Sequence, residues 1–260
     1  MISFILCVRD RKEHAVHSLF PLFTEAAACG GEVVVVDQDS APDAAAYLET
    51  ACISFGATYI RLDRGGPFSR SWTLNVGARA ATRPILSFCD VDVVIDEGYA
   101  DAVIRKYESV FHGGPCVINC FPYKVEEEPS ERFREAGDMS ILRDGDHWPW
   151  WTLGAGAHVD AESFRAIGGF DEGYDGWGCE DDDLFQRLRA LGCGWAIASP
   201  VAKCWHLWHP PAPKKDDDEP PNRRRLEVNA ERMGRGDLVR NTRREWGNRS
   251  WAPLEGEDGN

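Results

Sequence analysis

Strands and helices alternate along the first two thirds of the chain, which predicts an α/β fold on a doubly wound, mostly parallel sheet. Three observations carry this expectation. Val33-Val34-Val35-Val36 is a continuous β-branched run, as in a central strand covered on both faces. The buried-strand pattern of Ile2 to Val8 gives way to helical spacing through Ala15, Leu19, Leu22, Phe23 and Ala26. Asp37-Gln38-Asp39-Ser40 then supplies a polar strand end and a cap for a helix that opens on Pro42.

Each element follows from its local pattern. Glu13 to Cys29 is a helix stopped by Gly30-Gly31. Pro42 to Phe55 is helical, Ala57 to Leu62 extended, Ser69 to Ala81 helical and Pro84 to Cys89 a fourth strand. Ligands of such sheets bind at the carboxyl ends of the strands, so Arg9, Asp37, Asp90 and Asp92 are expected along one rim. Asp96 to Val110 should be a helix and Pro115 to Phe121 a strand. From Tyr123 to Trp151 the chain reads as irregular, charged and then aromatic (Trp148, Trp150, Trp151), either a wall over the cleft or core. Glu180 to Leu191 reads as a helix with Leu184, Leu188 and Leu191 inward and Gly192 as its stop.

The 260 residues, 43% of them apolar, suffice for one sizeable core with appendages. A formal charge of −14 argues against a nucleic-acid footprint, which needs a basic stripe. A phosphate-bearing substrate remains compatible, since a metal ion supplies positive charge locally. The nine cysteines are scattered, without a Cys-x-x-Cys pair, which favours buried thiols in a reducing cytoplasm. No run reaches the ~18 apolar residues of a membrane helix, and the chain opens directly on a strand, without a targeting pattern. The expectation is a cytoplasmic protein without an integral membrane segment, with peripheral association at the inner face of a membrane left open.

Three stretches carry chemistry. Glu180-Asp181-Asp182-Asp183 crowds four carboxylates at a helix start, just after Gly176-Trp177-Gly178. Acids in a first turn are stabilising in themselves, but a bare glycine backbone beside one large ring also suits a sugar face with carboxylates on its hydroxyls. Asp90-Val91-Asp92 breaks an apolar run; two apart on a strand end, its acids would face one cleft and hold a divalent cation. His206 and His209 can converge on one metal if the chain turns between them, or else be surface imidazoles.

Taken in order, Phe68 to Gly77, Phe88-Cys89-Asp90-Val91-Asp92, Gly169-Phe170 and Gly176 to Asp183 resemble the β1,4-galactosyltransferase group and related bacterial family-2 glycosyltransferases of the GT-A fold, over about residues 2 to 230. The resemblance implies inverting, metal-dependent transfer of a hexose or N-acetylhexosamine from a UDP-sugar to a saccharide hydroxyl, as in polysaccharide biosynthesis. It implies Asp92, His206 and His209 as metal ligands, with manganese or another divalent cation. The animal enzymes carry a methionine where His206 stands. It places Arg9, Arg11, Asp37, Phe68, Arg70, Asp90 and Val91 on the donor. Trp177 becomes the acceptor-stacking ring, Asp181 the general base, and Glu180 and Asp182 acceptor contacts, while Arg225 and Leu226 line an acceptor N-acetyl pocket. Thr152 falls where the family's bulky aromatic residue crowds a donor N-acetyl group, so an N-acetylhexosamine donor should fit.

The implied organisation is a catalytic domain over 1–209, with a nucleotide-sugar half over 1–95 and an acceptor and metal half over 96–209. A mobile loop over 210–221 and a closing segment and tail over 222–260 follow. Two other readings share the scaffold: a retaining transferase of the polypeptide N-acetylgalactosaminyl type, and a non-catalytic sugar-binding module.

Overall fold

The computed structural model describes residues 1–150, 152–174, 178–210, 221–242 and 245–250. In chain order these form β1 (Ile2–Val8), α1 (Lys12–Cys29), β2 (Glu32–Gln38), α2 (Pro42–Phe55), β3 (Thr58–Leu62), α3 (Arg70–Ala80), β4 (Ile85–Asp90), β5 (Val93–Ile95), α4 (Tyr99–Phe111) and β6 (Cys116–Asn119). There follow β7 (Tyr123–Lys124), α5 (Glu127–Ala136), α6 (Ser140–Arg143), β8 (Trp148–Pro149), β9 (Ala157–Asp160), α7 (Ala161–Ala166), α8 (Glu180–Leu191), β10 (Gly194–Ile197), β11 (Cys204–His206) and α9 (Pro221–Gly234).

β1 is buried along its whole length, and its side chains alternate between two cores. Phe4, Leu6 and Val8 meet Leu19 and Leu22 of α1, Leu48 of α2 and Val103 of α4. Ile5 and Cys7 meet Leu74 of α3, Phe164 of α7 and Leu184 and Leu188 of α8. Helices thus cover both faces of a seven-stranded sheet in the order β10-β6-β9-β4-β1-β2-β3. Its pairs β1–β2, β1–β4, β2–β3 and β6–β10 are parallel, whereas β9 runs antiparallel between β4 and β6. The expected doubly wound, mostly parallel sheet is therefore present. β9 had no sequence forecast, because Ala157-His158-Val159-Asp160 is too short to show a period.

A second sheet, β5-β11-β7-β8, stands beside the first. It corrects the reading of 123–151 as irregular: that stretch holds two short strands and the helices α5 and α6. α5 buries only Ser130 and Phe133, too thin a stripe to register as amphipathic. Two boundaries also move. The helix expected from Asp96 begins at Tyr99, behind a left-handed Gly98, and Leu191, expected inward, is exposed where α8 runs out at Gly192. No helix among the described residues is long and apolar enough to cross a membrane.

Candidate active site and metal centre

β4 ends at Asp90, and the chain turns through Val91 and Asp92 before β5 begins. The strand period therefore stops at Asp90, and the turn gives the two carboxylates different partners, although both bear on His206. Asp90 Oδ1 accepts from Arg70 Nε at 3.0 Å. Asp92 instead faces two imidazoles, with Oδ1 3.6 Å from His206 Nε2 and Oδ2 3.3 Å from His209 Nε2.

Strand register builds this second group. β11 pairs antiparallel with β5, His206 opposite Val93, which sets His206 next to Asp92. Leu207 N then donates to Asp92 O at 2.9 Å and holds the turn in place. His209 Nδ1 donates to Pro210 O at 2.8 Å, which leaves Nε2 directed at Asp92. One donor atom from each of Asp92, His206 and His209 lies within 4.8 Å of the others, and all three side chains are largely buried. The charges respond to one another. Burial works against the charged form of Asp92, yet the His209 hydrogen bond and the charges of His206 and His209 hold its carboxyl at about 2. Burial lowers His206, while the bond to Asp92 raises His209. A depressed carboxyl facing two imidazole nitrogens is the kind of donor set that a divalent cation takes. One carboxylate and two imidazoles at this spacing fit such an ion, manganese among the candidates.

The other group is assembled by Arg70, at the start of α3 behind the Ser69 cap. Its guanidinium reaches three acids. Besides Asp90 it donates from Nη1 to Asp181 Oδ1 at 2.8 Å, lies 3.6 Å from Glu180 Oε1, and donates from Nη2 to Gly154 O at 3.3 Å. Asp181 is set there by the first turn of α8, and it needs Gly154, where a Cβ would collide with its carboxylate. Nothing in the sequence pattern marks that glycine. Burial, with Glu180 and Asp90 adding negative charge, pushes the Asp181 carboxyl up to about 7 against the pull of Arg70. Its side chain is 23% exposed, so a carboxylate poised to take a proton opens to solvent. Glu180 is buried, and its Oε2 has no hydrogen-bond partner among the described residues.

The remaining candidates fall at varied distances from these groups. Arg9 is half-buried on the rim and donates to Gly66 O, and Arg11 caps α1 near His209. Asp37 is buried and accepts from Ser40 N, Tyr59 Oη and Arg61 Nη1, so its carboxylate orders the rim from within. Phe68 packs on the core around Phe170, and Val91 is buried. Thr152, half-buried, lies two residues from Gly154. Asp182 turns away from Arg70 and lines a cavity of about 440 Å³ with Leu153, Phe185 and Trp195. Arg225 grips Asp171 with Nε at 2.9 Å and Nη2 at 2.6 Å, and Leu226 is half-buried beside it on α9. Trp177, expected to stack on an acceptor, and Trp151 lie outside the described residues, as does most of the 210–221 loop. Trp150 packs edge-on to His206, ring centroids 4.7 Å apart.

Comparison with known proteins bears on the fold and on the segment that holds these residues. A family model described as the N-terminal domain of galactosyltransferase matches residues 147–210, the stretch that holds Gly154, Asp181, His206 and His209. Validoxylamine A glucosyltransferase of Streptomyces hygroscopicus subsp. jinggangensis is 31% identical over 167 residues, 48% of this chain and 38% of that protein. Mouse chondroitin sulfate N-acetylgalactosaminyltransferase 2 is 30% identical over 162 residues, 58% of this chain and 28% of that protein. The chain thus spans well under half the length of these relatives. The S. aureus TarS fragment 1-349, solved in complex with UDP, superimposes with a TM-score of 0.58 at 17% identity, over 78% of this chain and 59% of that one. Its low identity speaks to the fold alone. Fold, matched segment and relatives together make this a GT-A glycosyltransferase-like chain that resembles the β1,4-galactosyltransferase group.

Proposed function

We propose that the chain is an inverting, metal-dependent glycosyltransferase that moves a hexose or N-acetylhexosamine from a UDP-sugar to a saccharide hydroxyl. The observation that carries it is Asp181, a partly exposed carboxylate of raised pKa, held by the same Arg70 that holds Asp90, two residues before Asp92.

In this reading Arg70 and the rim residues Arg9 and Arg11 contact the nucleotide diphosphate, and Asp90 lies near the nucleotide ribose. Asp92, His206 and His209 would hold the cation, which supplies positive charge to the leaving diphosphate. Asp181 accepts the proton of the acceptor hydroxyl while that oxygen forms its bond to the anomeric carbon. The bond from that carbon to the diphosphate oxygen breaks, its electrons leave with UDP, and the configuration inverts. Arg70 keeps Asp181 oriented and, shared among three acids, leaves it basic enough to act. Glu180, buried with one bare oxygen, braces the base or takes an acceptor hydroxyl. The relatives' names include both a glucosyl and an N-acetylgalactosaminyl donor; Thr152 leaves room for the larger one.

The test is transfer and slow hydrolysis across UDP-galactose, UDP-glucose, their N-acetylhexosamine counterparts and UDP-glucuronate, with Mn²⁺ and with chelator. Metal-dependent turnover that favours one donor, gives a β-linked product by NMR and disappears in Asp181→Asn supports the reading. An α-linked product points to the retaining alternative, and metal-dependent UDP binding without turnover to the sugar-binding module.

A further inference from the structure

One buried side chain next to the metal centre has no part in the reaction proposed above. His14 stands in the first turn of α1, 4% exposed. Its Nδ1 lies 3.1 Å from Oε1 of Glu13, whose side chain is 61% exposed. An ionised carboxylate only accepts, so Nδ1 carries the proton and Nε2 the lone pair. That Nε2 is buried and has no hydrogen-bond partner among the described residues. The ring meets His209 edge-on, centroids 6.1 Å apart, and lies within the field of Asp92.

A buried acceptor is costly to leave bare, so its surroundings restrict what answers it. The partner must donate a hydrogen bond or be a cation. A diphosphate offers only acceptors and does not qualify. A hydrated divalent cation offers donors, and a carboxylate on one ring nitrogen with the metal side on the other is how imidazoles around metals are commonly fixed. Donor atoms of Asp92, His206 and His209 fall within 4.8 Å of one another, and His14 stands beside that set with its ring edge-on to His209, where a water on the ion is a nearer partner than the ion itself.

We propose that His14 is a positioning residue of the metal centre, its Nε2 accepting from the hydration shell of the cation held by Asp92, His206 and His209. This rests on the metal reading of that cluster, and the experiment separates the two. Mn²⁺ alone is titrated into donor-free protein, and bound ion is read from the loss of the free-ion EPR signal. His14→Phe keeps the ring volume and removes the acceptor; it should weaken Mn²⁺ roughly tenfold. His14→Gln, whose Oε1 reaches the place of Nε2, should recover most of that loss. Glu13→Ala, at an exposed position, frees the ring and should weaken Mn²⁺ roughly threefold, which keeps the proposal testable if His14→Phe does not fold. Native affinity in folded His14→Phe, or in Glu13→Ala where that variant stands in, overturns the role of His14 while loss in Asp92→Asn upholds the metal site. A native chain that binds no Mn²⁺, or Asp92→Asn binding as well as native, overturns both.

Discussion

Two acidic clusters flank the start of α8, and they put the same side chains to opposite uses. In the inner one, Asp171 accepts both forks of Arg225, with Nδ2 of Asn229 at 2.8 Å and the backbone N of Gly173 at 3.0 Å. Asp183, fully buried, holds Arg187 at 2.7 Å, and Arg240 approaches both acids at 3.9 Å. Two carboxylates there meet three guanidinium groups. In the outer one, three carboxylates, Asp90, Glu180 and Asp181, share Arg70. Burial pushes Asp171 up, but Arg225 outweighs it and the carboxyl settles at about 2; for Asp181 burial prevails and the carboxyl rises to about 7. Neither the acids nor their burial sets the role. The donors on each carboxylate do: Asp171 is saturated by Arg225, Asn229 and Gly173, Asp181 is starved because Arg70 is shared with Asp90 and Glu180, and Asp183, beside Arg187, is raised by burial like Asp181.

The largest expected effect tests the starved cluster. Asp181→Asn keeps the shape and removes the base, so transfer should fall 10²- to 10⁴-fold, while Mn²⁺ and UDP binding stay within about twofold. In the native enzyme the rate should drop as pH falls through about 7, where Asp181 becomes protonated. The linkage signs differ between Asp181 and Asp171. Asp181, raised on folding, takes stability away as pH rises from the ordinary carboxylate range to about 7, so Asp181→Asn should melt no lower than the native chain at pH 8. Asp171, depressed, contributes stability above the ordinary range that is lost as pH falls towards about 2. If the Asp171 and Asp181 contributions ran in the same direction with pH, the contrast would fail.

Asp171→Asn addresses the saturated cluster. It strands Arg225 and Arg240 near a neutral amide and should cost about 3–5 kcal/mol, a fall in Tm of roughly 10 °C by thermal melt. Transfer per folded molecule should change much less than in Asp181→Asn. Gly154→Ala comes next, since its new Cβ must displace the Asp181 carboxylate from Arg70. A loss of roughly ten- to a hundredfold in transfer is expected, with Mn²⁺ affinity unchanged. Equal loss of metal binding would show that the two groups of the site are not separable.

How much of this was readable from residues alone depended on whether the signal was local. The strands and helices of the first half were legible because β-branched runs, caps and apolar spacing are contiguous, as in Val33–Val36 and at Pro42. The convergence of Asp92 with His206 and His209 was legible only through motif order, since their spacing says nothing of the β5–β11 register that joins them. The different partners of Asp90 and Asp92 were not legible from their spacing, because the strand period stops where β4 ends. Gly154 escaped because its role is space for a side chain on another helix, and His14 because on the inner stripe of α1, ahead of Ser18 and Leu22, it reads as one more core position. The division of acids into saturated and starved was invisible for the same reason. Asp181 and Asp183 are two residues apart; Arg187 reaches Asp183 from one turn along the same helix, a spacing the sequence does show, whereas only tertiary packing brings Arg70 to Asp181 and Arg225 to Asp171.

The smallest expected effect asks whether the starved cluster also helps select the donor. Thr152 is two residues from the Gly154 carbonyl that Arg70 grips, and its backbone N bonds to Trp150 O at 2.9 Å, so its position is tied both to the base and to the ring packed on His206. A Tyr there adds a bulky ring without touching Arg70, Asp181 or the metal group by substitution. Steric selection of this kind is worth about 1–3 kcal/mol, so Thr152→Tyr should shift the ratio of N-acetylhexosamine to hexose transfer by about tenfold towards the hexose, with the preferred-hexose kcat nearly unchanged. Competition between UDP-galactose and UDP-N-acetylgalactosamine reads this ratio directly. Galactose preferred by the native chain and left so by Thr152→Tyr would remove Thr152 from donor choice, and the cluster's reach would end at the proton it accepts.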